Sequence, residues 1–310
     1  MLVPLREVMG WADARGCAIG AYNTPNLESL MAVIGEAETR KVPVIIAHAQ
    51  VHEPVMPLDV IGPIMVDVAQ RSSVPTCVHL DHGEDLDYIH RALDMGFTSA
   101  MYDGSVLPYD DNVRNTRELV RIAAEYGAGT EAEIGIMPGR EASGAYGGGS
   151  NDPSSAYTDP ELARRFVDDT GVEALACSFG TVHGFYTQAP KLDFDRIGEI
   201  RRLTGRPLVM HGGSGVSPDG YRRSIDAGVR KINYYSYMSL AGVEGAKQLL
   251  ATTDVKFFHD LALAAKDSMA ADVGRSMDVF YQPGAGHGDG SAGHSDGSRH
   301  PTALQSESLE

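Results

Sequence analysis

Short apolar runs alternate with longer stretches of helical spacing along most of the chain. The predicted strands are the runs at 17–23, 42–48, 74–82, 98–104, 129–135, 174–180, 207–213 and 230–236. Amphipathic stretches follow them and predict helices over 27–40, 55–70, 85–95, 110–126, 160–170, 194–203, 218–227 and 238–251. Short buried strands that alternate with helices favour parallel pairing. Eight such units within about 250 residues predict the α/β class and one closed (β/α)8 TIM barrel rather than two domains.

An open doubly wound sheet is the competing architecture, but no Gly-x-Gly-x-x-Gly follows the first predicted strand to support it. Beyond the eighth unit, residues 254–280 predict one or two further amphipathic helices. From residue 282 the chain is rich in Gly, Ser and Asp and also carries histidines. We therefore expect a barrel over 1–281 and a disordered tail over 282–310. A metal-binding role for the tail histidines is the alternative.

The formal charge of −16 argues against some classes of binding partner. An acidic chain without a Lys/Arg cluster repels phosphate backbones and anionic lipids, so we expect neither nucleic-acid nor membrane binding. The N-terminal stretch resembles neither a signal peptide nor a transit sequence, which predicts a cytoplasmic protein. Cys17, Cys77 and Cys177 lie far apart inside apolar runs, a pattern that predicts buried free thiols rather than disulfides.

Three histidines end predicted strands three, six and seven, and each is followed by glycine: His82, His183 and His211. The carboxyl ends of barrel strands meet at one mouth, where the enzymes of this fold build their sites. Three imidazoles converging there are the ligand set of a catalytic zinc ion. The alternative is three unrelated histidines that hydrogen-bond in strand-to-loop turns. Their joint occurrence beside an acid favours the zinc site.

Acidic residues accompany these histidines. Asp81 stands beside His82, where a carboxylate is placed to transfer a proton to or from a bound substrate, or to orient an imidazole. Glu133 ends strand five as a further metal ligand or an internal ion-pair partner. Glu141 lies in a long glycine-rich loop that could close over substrate and deliver a catalytic group, or it is a solvated loop carboxylate. His79 is predicted to be structural.

The turns after strands seven and eight have the composition of an anion site. Gly212, Gly213 and Ser214 follow strand seven, and Asn233–Ser236 follow strand eight. Barrels commonly hold a phosphate at this place, through backbone N–H groups and a hydroxyl.

Taken together, these residues resemble the class II, zinc-dependent ketose-bisphosphate aldolases over about residues 1–280. The resemblance rests on motifs that match in order and spacing: HLDHG (79–83), EAEIG (131–135), YTDPE (157–161), FGTVHGFY (179–186), PKLDFDRI (190–197), HGGSG (211–215) and KIN (231–233). It implies a (β/α)8 barrel, a Zn²⁺ ion, phosphorylated ketose and aldehyde substrates, and a homodimer or homotetramer.

The resemblance also implies roles for residues. His82, His183 and His211 would be the zinc ligands, with Glu133 near the metal. Asp81 would be the acid/base at the C4 hydroxyl, and Glu141 the loop glutamate that moves a proton at C3. The implied cradle for the ketose phosphate comprises Gly184, Gly212, Gly213, Ser214, Asn233, Tyr234, Tyr235 and Ser236. A monovalent cation, Na⁺ or K⁺, would lie near it.

Departures from the family pattern bear on the substrate rather than on the chemistry. Thr187 stands where many relatives carry a phosphate-contacting lysine. Strand two ends in Ala47, His48, Ala49 and Gln50, where relatives often place a substrate-facing serine. Tyr234 and Tyr235 follow the strand-eight asparagine in place of small or acidic residues. A non-standard ketose or a ketose monophosphate is therefore an open alternative.

Two other function classes compete with the aldolase hypothesis. A zinc hydrolase on the same barrel would need a His-x-His pair at the end of strand one, where this chain has Tyr22 and Asn23. A non-catalytic relative that only binds sugar phosphate would have no need of an acid/base such as Asp81. The sequence therefore favours an aldolase that releases dihydroxyacetone phosphate and an aldehyde.

Overall fold

A computed structural model describes residues 1–135, 157–186 and 188–283. Within these residues, eight parallel strands pair in chain order and close into a barrel, with β8 beside β1. This confirms the predicted (β/α)8 fold. The strands are β1 Ile19–Asn23, β2 Val44–Ala49, β3 Thr76–Gly83, β4 Ser99–Tyr102, β5 Gly129–Ile134, β6 Ala174–Cys177, β7 Leu208–Met210 and β8 Val229–Tyr234.

The helices agree with the predicted ones to within about three residues at most ends. They are α1 Leu5–Arg15, α2 Leu27–Arg40, α3 Leu58–Arg71, α4 Leu86–Asp94, α5 Tyr109–Tyr126, α6 Pro160–Thr170, α7 Phe194–Thr204, α8 Pro218–Ala227, α9 Ser236–Thr252 and α10 Phe258–Phe280. The segment after α9 forms one long helix, which packs along α9 and α2. No helix in the described ranges has both the length and the apolar character that a bilayer crossing requires.

Helix α1 was not predicted from the sequence, and it closes the lower end of the barrel. Its buried face, Leu5, Val8, Met9 and Ala12, packs in one cluster with inward-pointing side chains of several strands. Because strand side chains alternate between the two faces, each strand sends every second residue into the barrel. The lower layers are apolar, and the free thiols of Cys17 and Cys77 are buried among them.

The upper layers of the barrel interior are polar. Buried polar side chains come from β1, β3, β4, β5, β7 and β8, or directly follow these strands: Asn23, His79, Asp81, Ser99, Glu131, Glu133, His211, Lys231 and Asn233. Buried polar groups destabilise a fold unless they find hydrogen-bonding or charged partners. Their concentration at the carboxyl ends of the strands therefore marks this mouth of the barrel as the place to look for chemistry.

Candidate active site

His82, His183 and His211 come together at the mouth of the barrel. Their ring centroids are separated by 5.1 Å for His82 and His183, 4.6 Å for His82 and His211, and 5.8 Å for His183 and His211. One nitrogen from each ring lies within 4.8 Å of the nitrogens of the other two. Three imidazole nitrogens that converge in this way fit the donor set that zinc prefers.

Local backbone geometry brings these three rings together. His82 adopts a left-handed φ of 46°, where the pairing register of β3 and β4 shifts between Leu80 and Gly83. Such irregularities re-aim side chains and concentrate at functional sites. Gly212 has φ 60°, and a Cβ atom there would stand 2.3 Å from the carbonyl oxygen of Val182. Only glycine permits this close approach, which brings the segment carrying His183 against His211.

Carboxylates orient the candidate ligands from behind. His82 Nδ1 lies 2.7 Å from Asp103 Oδ2, and His211 Nε2 lies 2.9 Å from Glu131 Oε1. Burial lowers the pKa of His211, but the hydrogen bond to Glu131 and the charge of Glu133 outweigh it and raise the pKa. A carboxylate that accepts a bond from one imidazole nitrogen directs the other nitrogen toward a metal.

The remaining nitrogen of His211 supports this assignment. Its Nδ1 atom is buried and has no hydrogen-bond partner among the described residues. Glu133 Oε2 lies 3.1 Å away without hydrogen-bond geometry, and it is likewise buried and without a partner in the described chain. Two adjacent buried polar atoms that make no hydrogen bond are costly unless an ion or a water joins them. The donor set and these unpaired atoms fit a divalent cation at this place.

Asp81 is clamped between two asparagine side chains. Asn23 Nδ2 donates to Asp81 Oδ2 and Asn233 Nδ2 donates to Asp81 Oδ1, each at 3.0 Å. Burial by itself would raise the pKa of Asp81, but the charges of His82 and Lys231 lower it below its usual range. The arrangement holds an ionised carboxylate beside the histidines, which is the form that accepts a proton.

A second buried cluster lies deeper in the barrel and already contains a cation. His79, Asp81 and Glu131 offer ligand atoms within 4.8 Å of one another. However, Lys231 Nζ lies 2.8 Å from Glu131 Oε2 and donates to Asn233 Oδ1 at 2.7 Å. The ammonium group therefore supplies the positive charge that a metal would bring. His79, which was predicted to be structural, contacts Ser99 through Nδ1 at 2.8 Å.

The turns after β7 and β8 lie against each other, as an anion site between them would require. Ser214 Oγ accepts a hydrogen bond of 2.9 Å from the backbone N–H of Tyr235. A Cβ atom on Gly213 would stand 2.7 Å from the carbonyl oxygen of Asn233. Ser236 begins α9 and is buried, and Gly184 has φ 90° in the turn after His183.

Tyr234 lies apart from the other residues of the expected cradle. Its hydroxyl donates to Asp272 Oδ2 on α10 at 2.8 Å, and its ring packs edge-on against Tyr22 and Phe280. The side chain therefore points outward from the barrel, between β8 and α10. Strand alternation explains this, because Asn233 points inward and the next residue must point the opposite way.

Two residues singled out from the sequence cannot be placed, and several residues that contact the site were not predicted. Glu141 and Thr187 fall outside the residues that the structure describes. Asn23 and Asp103 contact the site without having been predicted as site residues. Both stand at the carboxyl ends of strands one and four, and that position was the only signal in the sequence for either of them.

Comparison with known proteins decides the family. A family model described as class II fructose-bisphosphate aldolase matches residues 3–285. The chain belongs to that family. It is therefore an enzyme of the lyase class, and the resemblance seen in the sequence is confirmed. The class II aldolases as a family are metal-dependent, in agreement with the convergent histidines.

Two relatives of this class II aldolase are named for different substrates. The chain is 35% identical over 274 residues to a sulfofructosephosphate aldolase of Alkalicoccus urumqiensis, a match that covers 87% of this chain and 93% of the relative. It is 36% identical over 255 residues to a fructose-bisphosphate aldolase of Geobacillus stearothermophilus, covering 81% and 86%.

Solved structures show the same fold. The YdjI aldolase of Escherichia coli K12 superposes with a TM-score of 0.80 at 31% identity, covering 92% of this chain and 99% of the other. A protein described as a fructose-1,6-bisphosphate aldolase of Coccidioides immitis superposes with a TM-score of 0.79 at 29% identity, covering 90% and 96%.

Proposed function

We propose that this protein is a zinc-dependent aldolase that reversibly cleaves a phosphorylated ketose to dihydroxyacetone phosphate and an aldehyde. The observation that carries the proposal is the Asp81 carboxylate, held by two asparagine amides beside three convergent histidines. Cleavage of a carbon–carbon bond next to a carbonyl needs a base at the hydroxyl that becomes the aldehyde, and a positive charge at the carbonyl oxygen. Asp81 offers the base, and the three histidines offer the ligands of a cation that would supply the charge.

His82, His183 and His211 would hold the zinc ion, with Glu133 beside it. When bound, zinc supplies the positive charge that stabilises negative charge developing on the substrate oxygens. Asp103 and Glu131 keep the imidazoles of His82 and His211 in one orientation, so that the ligand set is preorganised.

Asp81 would take the proton from the C4 hydroxyl as the C3–C4 bond breaks. Its clamp supports this role, because the two amide donors occupy one lone pair of each oxygen and leave the others for the substrate. In the direction of synthesis the same carboxyl group returns the proton. Glu141, which lies outside the described residues, would move the proton at C3.

The phosphate of the ketose would lie between the turns after β7 and β8. The proposed cradle comprises Gly184, Gly212, Gly213, Ser214, Asn233, Tyr235 and Ser236, with a Na⁺ or K⁺ ion nearby. The left-handed conformations of Gly184 and Gly212 turn the backbone sharply at this point, and the buried Ser214 ties the two turns together. We leave out Tyr234, because its side chain points toward α10.

The names of the relatives do not agree on the substrate. At nearly equal identity, one carries the name of a sulfofructosephosphate aldolase and the other that of a fructose-bisphosphate aldolase. Both names contain a fructose with two anionic groups, two phosphates in one name and a sulfo group and a phosphate in the other. We therefore propose a ketose 1-phosphate core with an anionic group at C6.

The test is a retro-aldol assay on the zinc-loaded protein. The panel contains fructose and tagatose bisphosphates, their 1-phosphates and sulfofructose 1-phosphate, and dihydroxyacetone phosphate is measured by a coupled dehydrogenase. We expect the wild-type protein to release dihydroxyacetone phosphate from at least one of these sugars. We expect Asp81→Asn to lower kcat by about 10²-fold or more. Release from none of them, or full activity in Asp81→Asn, would contradict the proposal.

We also propose a homodimer or homotetramer. The end of the α9–α10 hairpin exposes Leu250, Phe257 and Phe258, the last with 83% of its surface accessible. Large exposed apolar side chains that follow one another closely along the chain are typical of surfaces that bind another chain, and we infer a second copy of this one. Sedimentation of the wild-type protein as a 33.2 kDa monomer would contradict this. The cytoplasmic location stays a prediction.

A further inference from the structure

His52 is a buried imidazole at the mouth of the barrel to which no role has been given so far. It ends the short 3-10 turn Gln50–His52 that directly follows β2, and only 3% of its surface is accessible. Its Nδ1 atom is enclosed and has no hydrogen-bond partner in the described part of the chain. A buried polar atom without a partner is rare, and it usually marks the place of a water, an ion or a ligand.

The ring of His52 reaches across the mouth to the proposed phosphate cradle. It packs against the ring of Tyr235 with 5.0 Å between centroids and 60° between planes. Tyr235 in turn donates its backbone N–H to Ser214 Oγ. Because β1 stands between β2 and β8 in the barrel, this pair of rings bridges over the end of β1, where Asn23 holds Asp81.

The surroundings of His52 determine which form the ring takes. Burial lowers the pKa of His52, and the charge of Asp81 partly opposes that shift. The imidazole is therefore neutral near pH 7, with one nitrogen that donates and one that accepts. A neutral imidazole beside Tyr235 can pair with a hydroxyl or a carbonyl oxygen.

Its neighbour His48 is also buried, with an Nδ1 atom that has no partner among the described residues, but its other nitrogen is held by a chain of bonds. His48 Nε2 lies 3.0 Å from the hydroxyl of Tyr88, which donates to Glu53 at 2.6 Å. This chain of bonds lies between β2 and α4, outside the barrel. His52 has no comparable chain among the described residues, and its ring faces the bridge to Tyr235.

We propose that His52 hydrogen-bonds an oxygen on the carbon skeleton of the dihydroxyacetone phosphate half of the substrate. The proposal rests on the proposed function, since that function defines this half. The carbon skeleton is favoured over the phosphate because a neutral imidazole brings no positive charge to a phosphate group, and because the pair of rings lies over the end of β1, where Asn23 holds Asp81. His52 is thus a substrate-binding residue that complements the departure at Ala49, where no side chain can donate.

The experiment measures binding rather than turnover. Calorimetric titrations of dihydroxyacetone phosphate and of inorganic phosphate are made on zinc-loaded wild type, His52→Ala, His52→Phe and His52→Gln. We expect His52→Ala and His52→Phe to bind dihydroxyacetone phosphate about 10-fold more weakly, the loss typical of one hydrogen bond. His52→Gln should recover most of the affinity, because its amide can both donate and accept. Phosphate affinity should stay unchanged in all variants.

Three outcomes would overturn the proposal. Wild-type affinity in His52→Phe would show that the ring only packs against Tyr235. An equal loss of inorganic phosphate binding would show that the cradle itself is disturbed. Failure of the wild-type protein to bind dihydroxyacetone phosphate would show that His52 has no such ligand to contact.

The control is His90→Ala, a histidine on α4 whose ring packs against Tyr126 outside the barrel. It should bind both ligands as the wild type does, and thermal unfolding of every variant checks that it is folded. The retro-aldol assay on the same wild-type preparation tests the proposed function separately. A protein that cleaves ketoses while His52→Phe binds normally would refute the role of His52 alone.

Discussion

Lys231 and Glu131 form an ion pair in the middle of the barrel, with 2.8 Å between Nζ and Oε2 and neither side chain exposed. Each member also contacts a different part of the candidate site. Lys231 donates to Asn233, which donates to Asp81, and Glu131 contacts Nε2 of His211. One buried pair therefore supports both the proposed base and a proposed metal ligand.

Loss of the lysine should leave a buried carboxylate without its cation. We expect Lys231→Met to lower the free energy of unfolding by about 3–5 kcal/mol, measured by urea denaturation. Adding Glu131→Gln to it should restore part of the loss, because the uncompensated charge is then gone. Losses that simply add in the double variant would show that the two residues do not act as a pair.

The close contact at Gly212 should be sensitive to a single methyl group. Gly212→Ala puts a Cβ atom 2.3 Å from Val182 O, so the segments carrying His183 and His211 must separate. We expect lower thermal stability and loss of tight zinc binding. Gly127→Ala is the matched control: its φ of 65° is similar, but no atom lies within 4 Å of the added carbon. This control variant should lower the free energy of unfolding by only about 1–2 kcal/mol, and it should still bind zinc.

The two buried clusters can be told apart by metal content. We expect His211→Ala to lose bound zinc after dialysis, measured by mass spectrometry, because it removes one of three convergent nitrogens. His79→Ala should keep one equivalent, since Lys231 already supplies the cation beside Glu131. The reverse pattern would place the metal in the deeper cluster.

The cysteines should be unreactive in the native protein. Burial raises the pKa of Cys17 to about 11 and that of Cys77 and Cys177 to about 12. At pH 8 almost no thiolate forms, and the thiolate is the nucleophile. We expect no rapid reaction with Ellman's reagent before unfolding and three thiols per chain in guanidinium. Rapid labelling of the native protein would show that these segments open.

Periodicity and position in the chain were sufficient to predict much of this molecule. Eight short apolar runs, each followed by a helix, predict a barrel, because the spacing of apolar residues along the chain indicates which segments are strands and which are helices. The same order places the ends of strands three, six and seven at one mouth. His82, His183 and His211 could therefore be grouped without coordinates, as could the turns around Ser214 and Tyr235. Helix α1 was missed because nothing in a short N-terminal segment shows that it closes a barrel.

The tertiary structure decided which polar groups contact one another. Asn23, Asp103 and Lys231 acquire their importance from partners 58, 21 and 100 residues away along the chain, and local patterns carry no information over such separations. The bridge from His52 to Tyr235 is likewise set by the order in which the strands pair. A sequence specifies where each strand ends, but the closure of the barrel determines which strand ends face each other and at what distance.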